Sequence, residues 1–475
     1  MSTQGWMPGG APPDEPTPLN ELNEVLELGA RHTRMALRRA RRGQNRDSDS
    51  EELYTPAIAG ESDPSFLENQ TMKCEIKHLD RKYNDKGELY FAERGGADDD
   101  AAAKPRQPGW WRLYAFCVVR LFDRAGKVLP KHTRLYINPT PLRALLRDVI
   151  GNYPSDPINV HDVQIVAPYY ALFHYRKELE SVGLKRFEGD GKEKDAEGNF
   201  ESAAQLRMLL MWIDTHFALA IEAHWRCVNP AGEGIKAITY EYLWTLSPPQ
   251  QLIHTKVLEQ HRVYKVISSS WYQDQEHVNP GLMFTVTYID YDGDRMGTRL
   301  ANLLIREYKG SKELCELNAM PLELLDNADD VRAELLARGR RFEAYTGQHF
   351  ESYDGIAVKT DEKGNHAKFS VQGRIMIDCK TYHRLEPNDS FRVVQSSESA
   401  EREKARLKAK GKTGFASDKR IHDPLSDEEA CMANATIRGF SFTVKRFLEF
   451  FVDNVSPIEW NEQCFDELVL DAVTK

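Results

Sequence analysis

Met72, Cys74 and Ile76 alternate with Lys73, Glu75 and Lys77, a period of two that predicts a strand with one buried face. Leu113 to Phe122 is nearly all apolar, the pattern of a strand covered on both sides. Asn138 to Gly151 then predicts a short helix: Thr140 as N-cap, Pro141 at the first helical position, a stripe of Leu142, Leu145, Leu146 and Val149, and Gly151 to end it. Tyr169 to Ser181 predicts a second helix and Gly189 to Phe200 a polar loop. Ser202 to Trp225 predicts the strongest helix, on Leu206, Leu209, Leu210, Ile213, Phe217 and Ile221. Met208, Met211 and Trp212 widen that stripe, so burial on more than one side is expected.

From Leu252 the period returns to two. Arg262 to Trp271, Leu282 to Tyr291 and Leu300 to Tyr308 read as strands, and Asp292-Gly293 marks a hairpin turn. Asp329 to Tyr345 predicts a helix with Val331, Leu335 and Phe342 inward. Lys368 to Tyr382 predicts a long strand or a strand pair. Ser426-Asp-Glu-Glu429 is a capping box that restarts order after a polar stretch at 395–424. The resulting fold class is α+β, with a mixed helical and strand subdomain plus a β-rich subdomain. The expected boundaries are a disordered tail at 1–65, the mixed subdomain at 66–250, the β-rich subdomain at 251–390, a disordered insertion at 391–425 and a closing segment at 426–475.

Composition narrows the function. Lys and Arg number 63 and Asp and Glu 73, a net charge of −10, which makes nucleic acid an unexpected partner. No apolar run reaches membrane-spanning length, so no membrane insertion is expected. Met1 to Asp14 lacks a signal-peptide core. The seven cysteines form no Cys-x-x-Cys pair, which fits reduced thiols in a cytoplasmic or nuclear protein. One local exception is basic: residues 31–46 carry seven arginines and no acid, followed by Asp47, Ser48, Asp49, Ser50, Glu51 and Glu52. That arm suits nuclear import or an anionic surface, with the serines as phosphoacceptors, or is simply a solvated tail.

Candidate chemistry is sparse. Gly411-Lys412-Thr413 ends like a phosphate-binding loop, but the loop needs glycine at 406, where Arg406 stands, and no apolar strand precedes it. Asp290-Tyr-Asp292-Gly293-Asp294 has glycine at position four and Ala301 at twelve, so it reads as a turn rather than a calcium loop. His216 and His224 lie two helical turns apart, too far to share a metal alone. One arrangement leaves an enzymatic option. Ile375 to Lys380 is an apolar strand ending in Asp-x-Lys. Strand alternation puts Arg374, Asp378 and Lys380 on one face, with Asp354 upstream. Magnesium-dependent nucleases use such carboxylates and a lysine. The competing reading is a solvated charge ladder. Otherwise no catalytic, cofactor-binding or metal-ligating residue is expected.

Seven pieces, in order, carry a resemblance: Tyr169-Tyr-Ala-Leu-Phe-His-Tyr-Arg-Lys-Glu-Leu179, Leu243-Trp244, Tyr288-Ile-Asp-Tyr-Asp-Gly293, Arg338-Gly-Arg-Arg-Phe342, Gly373-Arg-Ile-Met-Ile-Asp378, Arg438-Gly-Phe440 and Val452-Asp-Asn-Val-Ser-Pro-Ile-Glu-Trp-Asn461. Together the chain resembles, over about residues 70–470, the uncharacterised domain N-terminal to the core of fungal AAA+ ATPases. The resemblance implies a non-catalytic recognition or regulatory module that binds protein substrates or adaptors for an AAA+ core in cis or in trans. It also leaves open a fragment of an ATP-hydrolysing protein, whose ATP and Mg²⁺ would belong to that core. No position here matches a nucleotide-binding residue. The resemblance makes Phe440 to Trp460 the face coupling to the core; alternatively those aromatics complete this domain's own interior.

Overall fold

The structure is a computed structural model. It describes residues 72–458, apart from 85–86, 95–108, 130–132, 155, 157, 159–162, 189–195, 230–234, 273–279, 361–365 and 395–423. The basic arm, Gly411-Lys412-Thr413 and Trp460 therefore lie outside the described residues. The fold is α+β, and its described residues fall in two compact units, one of 72–249 with Lys309–Glu313 and the other of Gln250–Tyr308 with the residues from Leu314 onward.

The first unit is built on a five-stranded sheet in the order β2-β1-β3-β4-β5. Its strands are β1 (Lys73–Tyr83), β2 (Leu89–Glu93), β3 (Tyr114–Leu121), β4 (Arg134–Ile137) and β5 (Val163–Val166). The apolar run predicted at 113–122 is the central strand β3, parallel to β1 and antiparallel to β4, with Ala115 to Val119 all buried. Helix α1 (Thr140–Ile150) begins one residue earlier than expected, so Pro139 and not Thr140 takes the cap position. Gly151 ends it at φ +63° as predicted. The helix predicted at 169–181 is two: α2 (Tyr170–His174) and α3 (Arg176–Glu188), entered from Tyr169 in the left-handed region. The long helix also divides, into α4 (Ala196–His216) and α5 (Ala218–Val228), broken at Phe217. Gly183 of α3 leaves room for side chains from two neighbouring helices. A methyl there would stand 2.4 Å from Leu206 of α4 and 2.8 Å from Leu145 of α1. The expectation of burial on several sides is corrected on this helix pair: Met211, Leu219 and Trp225 are all more than half exposed. A short strand β6 (Ala237–Thr239) completes the unit.

The second unit opens with an antiparallel meander, β7 (Leu252–Val257), β8 (Gln260–Tyr272), β9 (Gly281–Tyr291) and β10 (Met296–Arg306). Between β7 and β8 the turn residues Leu258 and Glu259 both have positive φ, a conformation their side chains do not advertise. The Asp292 turn is as expected: its Oδ1 accepts the backbone N–H of Asp294 and of Arg295, at 3.0 and 2.8 Å. Strand β11 (Ser311–Glu313) belongs to the first unit, where it pairs with β6; in the second unit β12 (Met320–Pro321) lies beside β7. Helix α6 (Ala328–Ala344) starts with Asp329 and Asp330 in its first turn, where the helix dipole favours them. Its Gly339 lies flat against α8 (Asp427–Cys431), the helix of the predicted capping box. The last sheet joins β13 (Gln348–Thr360), β14 (His366–Asp378), β15 (Thr436–Ser441) and β16 (Arg446–Phe451). Strand β16 pairs back onto β13, which also takes β17 (Val455–Ser456). This closure buries Tyr353, Ile375, Leu448 and Phe450 in one core with Val331, Leu335 and Phe342 of α6. Among the described residues, no helix is long and apolar enough to cross a membrane.

Candidate functional site

The three nuclease candidates are not brought together. The expected common face of Arg374, Asp378 and Lys380 fails because β14 stops at Asp378. Lys380 sits in the following helix α7 (Cys379–Leu385), where alternation no longer holds. Asp378 is the N-cap of that helix. Its Oδ1 accepts the N–H of Thr381 at 2.8 Å, and its Oδ2 accepts the Gln348 amide at 2.6 Å. Burial would raise its carboxyl, but these donors outweigh burial and hold it below the usual range. Lys380 pairs with Asp294 at 2.7 Å. Asp354 is opposite Gln372 while Gln348 is opposite Asp378. Six residues of strand thus separate the carboxylates, about 20 Å at ~3.3 Å per residue. They cannot share a metal ion.

A buried charged cluster lies elsewhere, where β9 parts from β8. Beyond Thr287, β9 pairs instead with the chain around Ala433: Ile289 donates its N–H to Met432 and accepts that of Asn434. Asp290, fully buried, emerges at this fork. Its carboxylate accepts both arms of Arg438 at 3.0 and 3.3 Å, Arg299 at 2.9 Å, the Asn434 amide at 3.2 Å and the Tyr291 N–H at 2.8 Å. Burial pushes this carboxyl up, but Arg438 and Arg299 outweigh it and the group stays ionised. The Phe391 ring lies under both guanidiniums, 3.6 Å from Arg299 and 4.6 Å from Arg438. A carboxylate has about four lone-pair sites, and here all are taken. Neither a metal ion nor a substrate proton has a place on Asp290.

Cys379 and His383 stand 3.4 Å apart beside Arg438, a spacing that suggests a thiol nucleophile with its base. The electrostatics run the other way. Burial pushes the thiol up to about 12 and, with Arg438, the imidazole down to about 4. The thiol donates to the Tyr291 carbonyl at 3.1 Å. Nucleophilic cysteines require the thiolate, so this pair is a packed neutral contact.

The remaining motif pieces have the same structural character. Arg338, only 1% exposed, donates to the His261 carbonyl and lies 3.7 Å from Asp453, which also pairs with Arg341. In the first unit, Tyr170 stacks on Trp244 at 3.9 Å. His174 is held between the Tyr153 hydroxyl, 2.9 Å from Nδ1, and the Trp244 carbonyl, 3.0 Å from Nε2. A carbonyl can only accept, so Nε2 carries the proton and Nδ1 accepts from Tyr153. Burial lowers this imidazole to about 4.

A different surface emerges on the outer side of the closed sheet. The register aligns Phe350, Met376, Phe440 and Phe447 in one row across β13, β14, β15 and β16. Successive rings touch edge to face: Phe440 with Phe447 at 5.1 Å, Phe440 with Phe442 at 5.5 Å and Phe442 with Phe350 at 5.5 Å. All four row residues are only half-buried, and Phe442 is 42% exposed. The aromatic end thus divides: Phe450 and Phe451 are core, while Phe440, Phe442 and Phe447 form a surface. Phe350 and Met376 were missed as its members, because only cross-strand pairing sets them beside Phe440.

A family described as Domain of unknown function (DUF7025) matches residues 234–326, a span that includes Leu243-Trp244 and the Asp290 turn. The chain has no match among curated proteins, and none among solved structures.

Proposed function

We propose that this chain is a non-catalytic recognition or regulatory module, of the kind its motif pieces suggest for the region before an AAA+ core, and that it acts by binding protein substrates or adaptors. The observation that carries this reading is the aromatic row Phe350–Met376–Phe440–Phe447 with Phe442 at its rim. Clustered aromatic rings that are only partly covered are the composition of protein interfaces, where they supply most of the binding energy. The charged groups support the same reading, since Asp290, Asp378 and Arg338 are engaged in holding strands together rather than aimed at a substrate. An intracellular setting, cytoplasmic or nuclear, belongs to the same proposal.

The test compares the wild-type chain with Phe442→Asp in quantitative affinity isolation, alongside calorimetry with ATP and Mg²⁺. A discrete set of proteins lost with the variant, and no heat of nucleotide binding, is expected. Identical sets from both chains would overturn the assignment of the row. Saturable nucleotide binding would overturn the non-catalytic reading.

A further inference from the structure

In the first unit, three hydrogen-bond donors converge on the sheet face that carries Asp80. Arg120 of β3 is opposite Asp80 of β1 and grips its carboxylate through Nε and Nη2, at 2.7 and 2.9 Å. Arg94 follows β2 and donates its backbone N–H to the His78 carbonyl, so the register sets it beside His78, on the same strand face as Asp80. Its guanidinium stands 3.8 Å from Asp80 and donates no hydrogen bond among the described residues. Two arginines thus share one carboxylate. Burial and the neighbouring charge of Arg120 together hold the Arg94 guanidinium below its ordinary range. The third donor arrives from the other edge of the sheet. Ala167 donates its N–H to the Thr133 carbonyl at 2.8 Å, and Thr133 precedes Arg134, the partner of Val119, so the chain enters at the level of Arg120. Two residues on, Tyr169 is only 3% exposed, yet its hydroxyl has no hydrogen-bond partner among the described residues. Burial raises this hydroxyl, and the nearby charge of Arg94 draws it back down. Trp212 and His216 of α4 flank the Tyr169 ring at 5.3 and 5.4 Å, and stack on each other at 4.8 Å.

These donors fit a phosphate monoester. They come from the end of β2, from β3 and from the loop before α2. A tetrahedral phosphate turns oxygens in three directions, at a charge of about −1.5 to −2, where a planar carboxylate offers two oxygens and a single charge. The surroundings fit a peptide rather than a small molecule. Small ligands need a cleft that covers most of their surface. Here the two guanidiniums are 36% and 33% exposed, and Met211 and Leu219, which bracket the Trp212–His216 pair in sequence, are more than half exposed. We propose that this face binds a phosphorylated segment of a partner protein. Arg94, the Nη1 of Arg120 and the Tyr169 hydroxyl hold the phosphate, and peptide side chains beside it lie on Trp212 and His216. The proposal rests on the reading of the chain as a protein-recognition module. It adds the modification that a partner must carry.

The test titrates the full 475-residue chain into fluorescent peptide pools with randomised flanks, read by fluorescence polarisation. The central residue is phosphoserine, phosphothreonine or phosphotyrosine, and the matched pools carry the unmodified residue or glutamate. At least one phosphorylated pool should bind about tenfold or more tightly than its unmodified and glutamate counterparts. Arg94→Gln should abolish that preference, and Tyr169→Phe, which keeps the ring, should weaken it by about threefold or more. Arg124→Gln, an exposed arginine over Tyr83 in the turn after β3, should leave it unchanged. Circular dichroism of each chain verifies the fold. A glutamate pool that binds as well as a phosphorylated one would reassign the site to carboxylates. A phosphopeptide preference that survives Arg94→Gln would overturn the site. Binding of ATP or inorganic phosphate that is lost in Arg94→Gln, without any peptide preference, would overturn the proposal in favour of a small phosphate ligand. Absence of preference in every pool would overturn it as well, and the recognition reading would still be decided separately by the partners lost with Phe442→Asp.

Discussion

Arg438 grips Asp290 with both arms of its guanidinium across 148 residues of chain, and both side chains are buried. This pair ties the meander to the closed sheet at the place where β9 leaves β8. A buried pair is not itself a large net stabiliser, because both charges lose hydration. Removing one partner leaves the other charge stranded, at a cost of about 3–5 kcal/mol. Asp290→Ala is therefore expected to lower unfolding stability by about that amount, read from the urea midpoint. A loss under about 1 kcal/mol would show that water, or Glu449, a second carboxylate acting on Arg438, replaces the carboxylate.

Gly339 is expected to be intolerant of any side chain. A methyl at this position would lie 1.9 Å from the Ala430 carbonyl oxygen, which is backbone and cannot rotate aside. Gly339→Ala should force α6 and α8 apart and destabilise by about 1–3 kcal/mol, despite alanine's better helix propensity. Thermal denaturation by circular dichroism measures this, and an unchanged or raised Tm would refute the close packing.

His174 makes the first unit acid-sensitive. Its imidazole is neutral in the folded state, lowered to about 4 from an ordinary 6.5 by burial. The unfolded chain thus binds the extra proton first. The stability it contributes is full above pH 6.5 and is lost as pH falls through about 4, a difference on the order of 3 kcal/mol. His174→Asn should be less stable at pH 7, and its deficit relative to wild type should shrink toward pH 4. Parallel stability curves for the two chains would contradict the neutral assignment.

Asp378 and Lys380 separate the structural reading from the nuclease reading. Asp378→Ala removes an N-cap and should cost about 1 kcal/mol. Lys380→Ala removes an exposed ion pair with Asp294 and should cost less than about 1 kcal/mol. Neither variant should change any nucleic-acid cleavage measured with Mg²⁺. Loss of a cleavage activity in both variants with the fold retained would restore the catalytic alternative.

Periodicity alone determined much of the element list. Strand β3, the β8 to β10 meander, α6 and the capping box of α8 were legible because each is signalled within about ten residues of chain: an apolar run, an alternation, an Asx turn, a cap. The ends of α2 and α4 and the β7–β8 turn were not. Tyr169, Leu258 and Glu259 adopt left-handed backbone without glycine or asparagine to announce it, and tertiary packing holds them there. The site was less legible still. Asp378-Cys-Lys380 read as a strand only because sequence cannot show that a hydrogen bond from Thr381 turns the chain into a helix. The seven motif pieces were visible only as short stretches of sequence, and their contacts, Asp290 on Arg438, Arg338 by Asp453 and Tyr170 on Trp244, join residues tens to more than a hundred positions apart. The same holds for the aromatic row. Each of its members looks like ordinary core in its own strand. Only the register of β13 to β16 decides that four of them line up on one face, because side-chain direction in a sheet is fixed by pairing and not by local sequence.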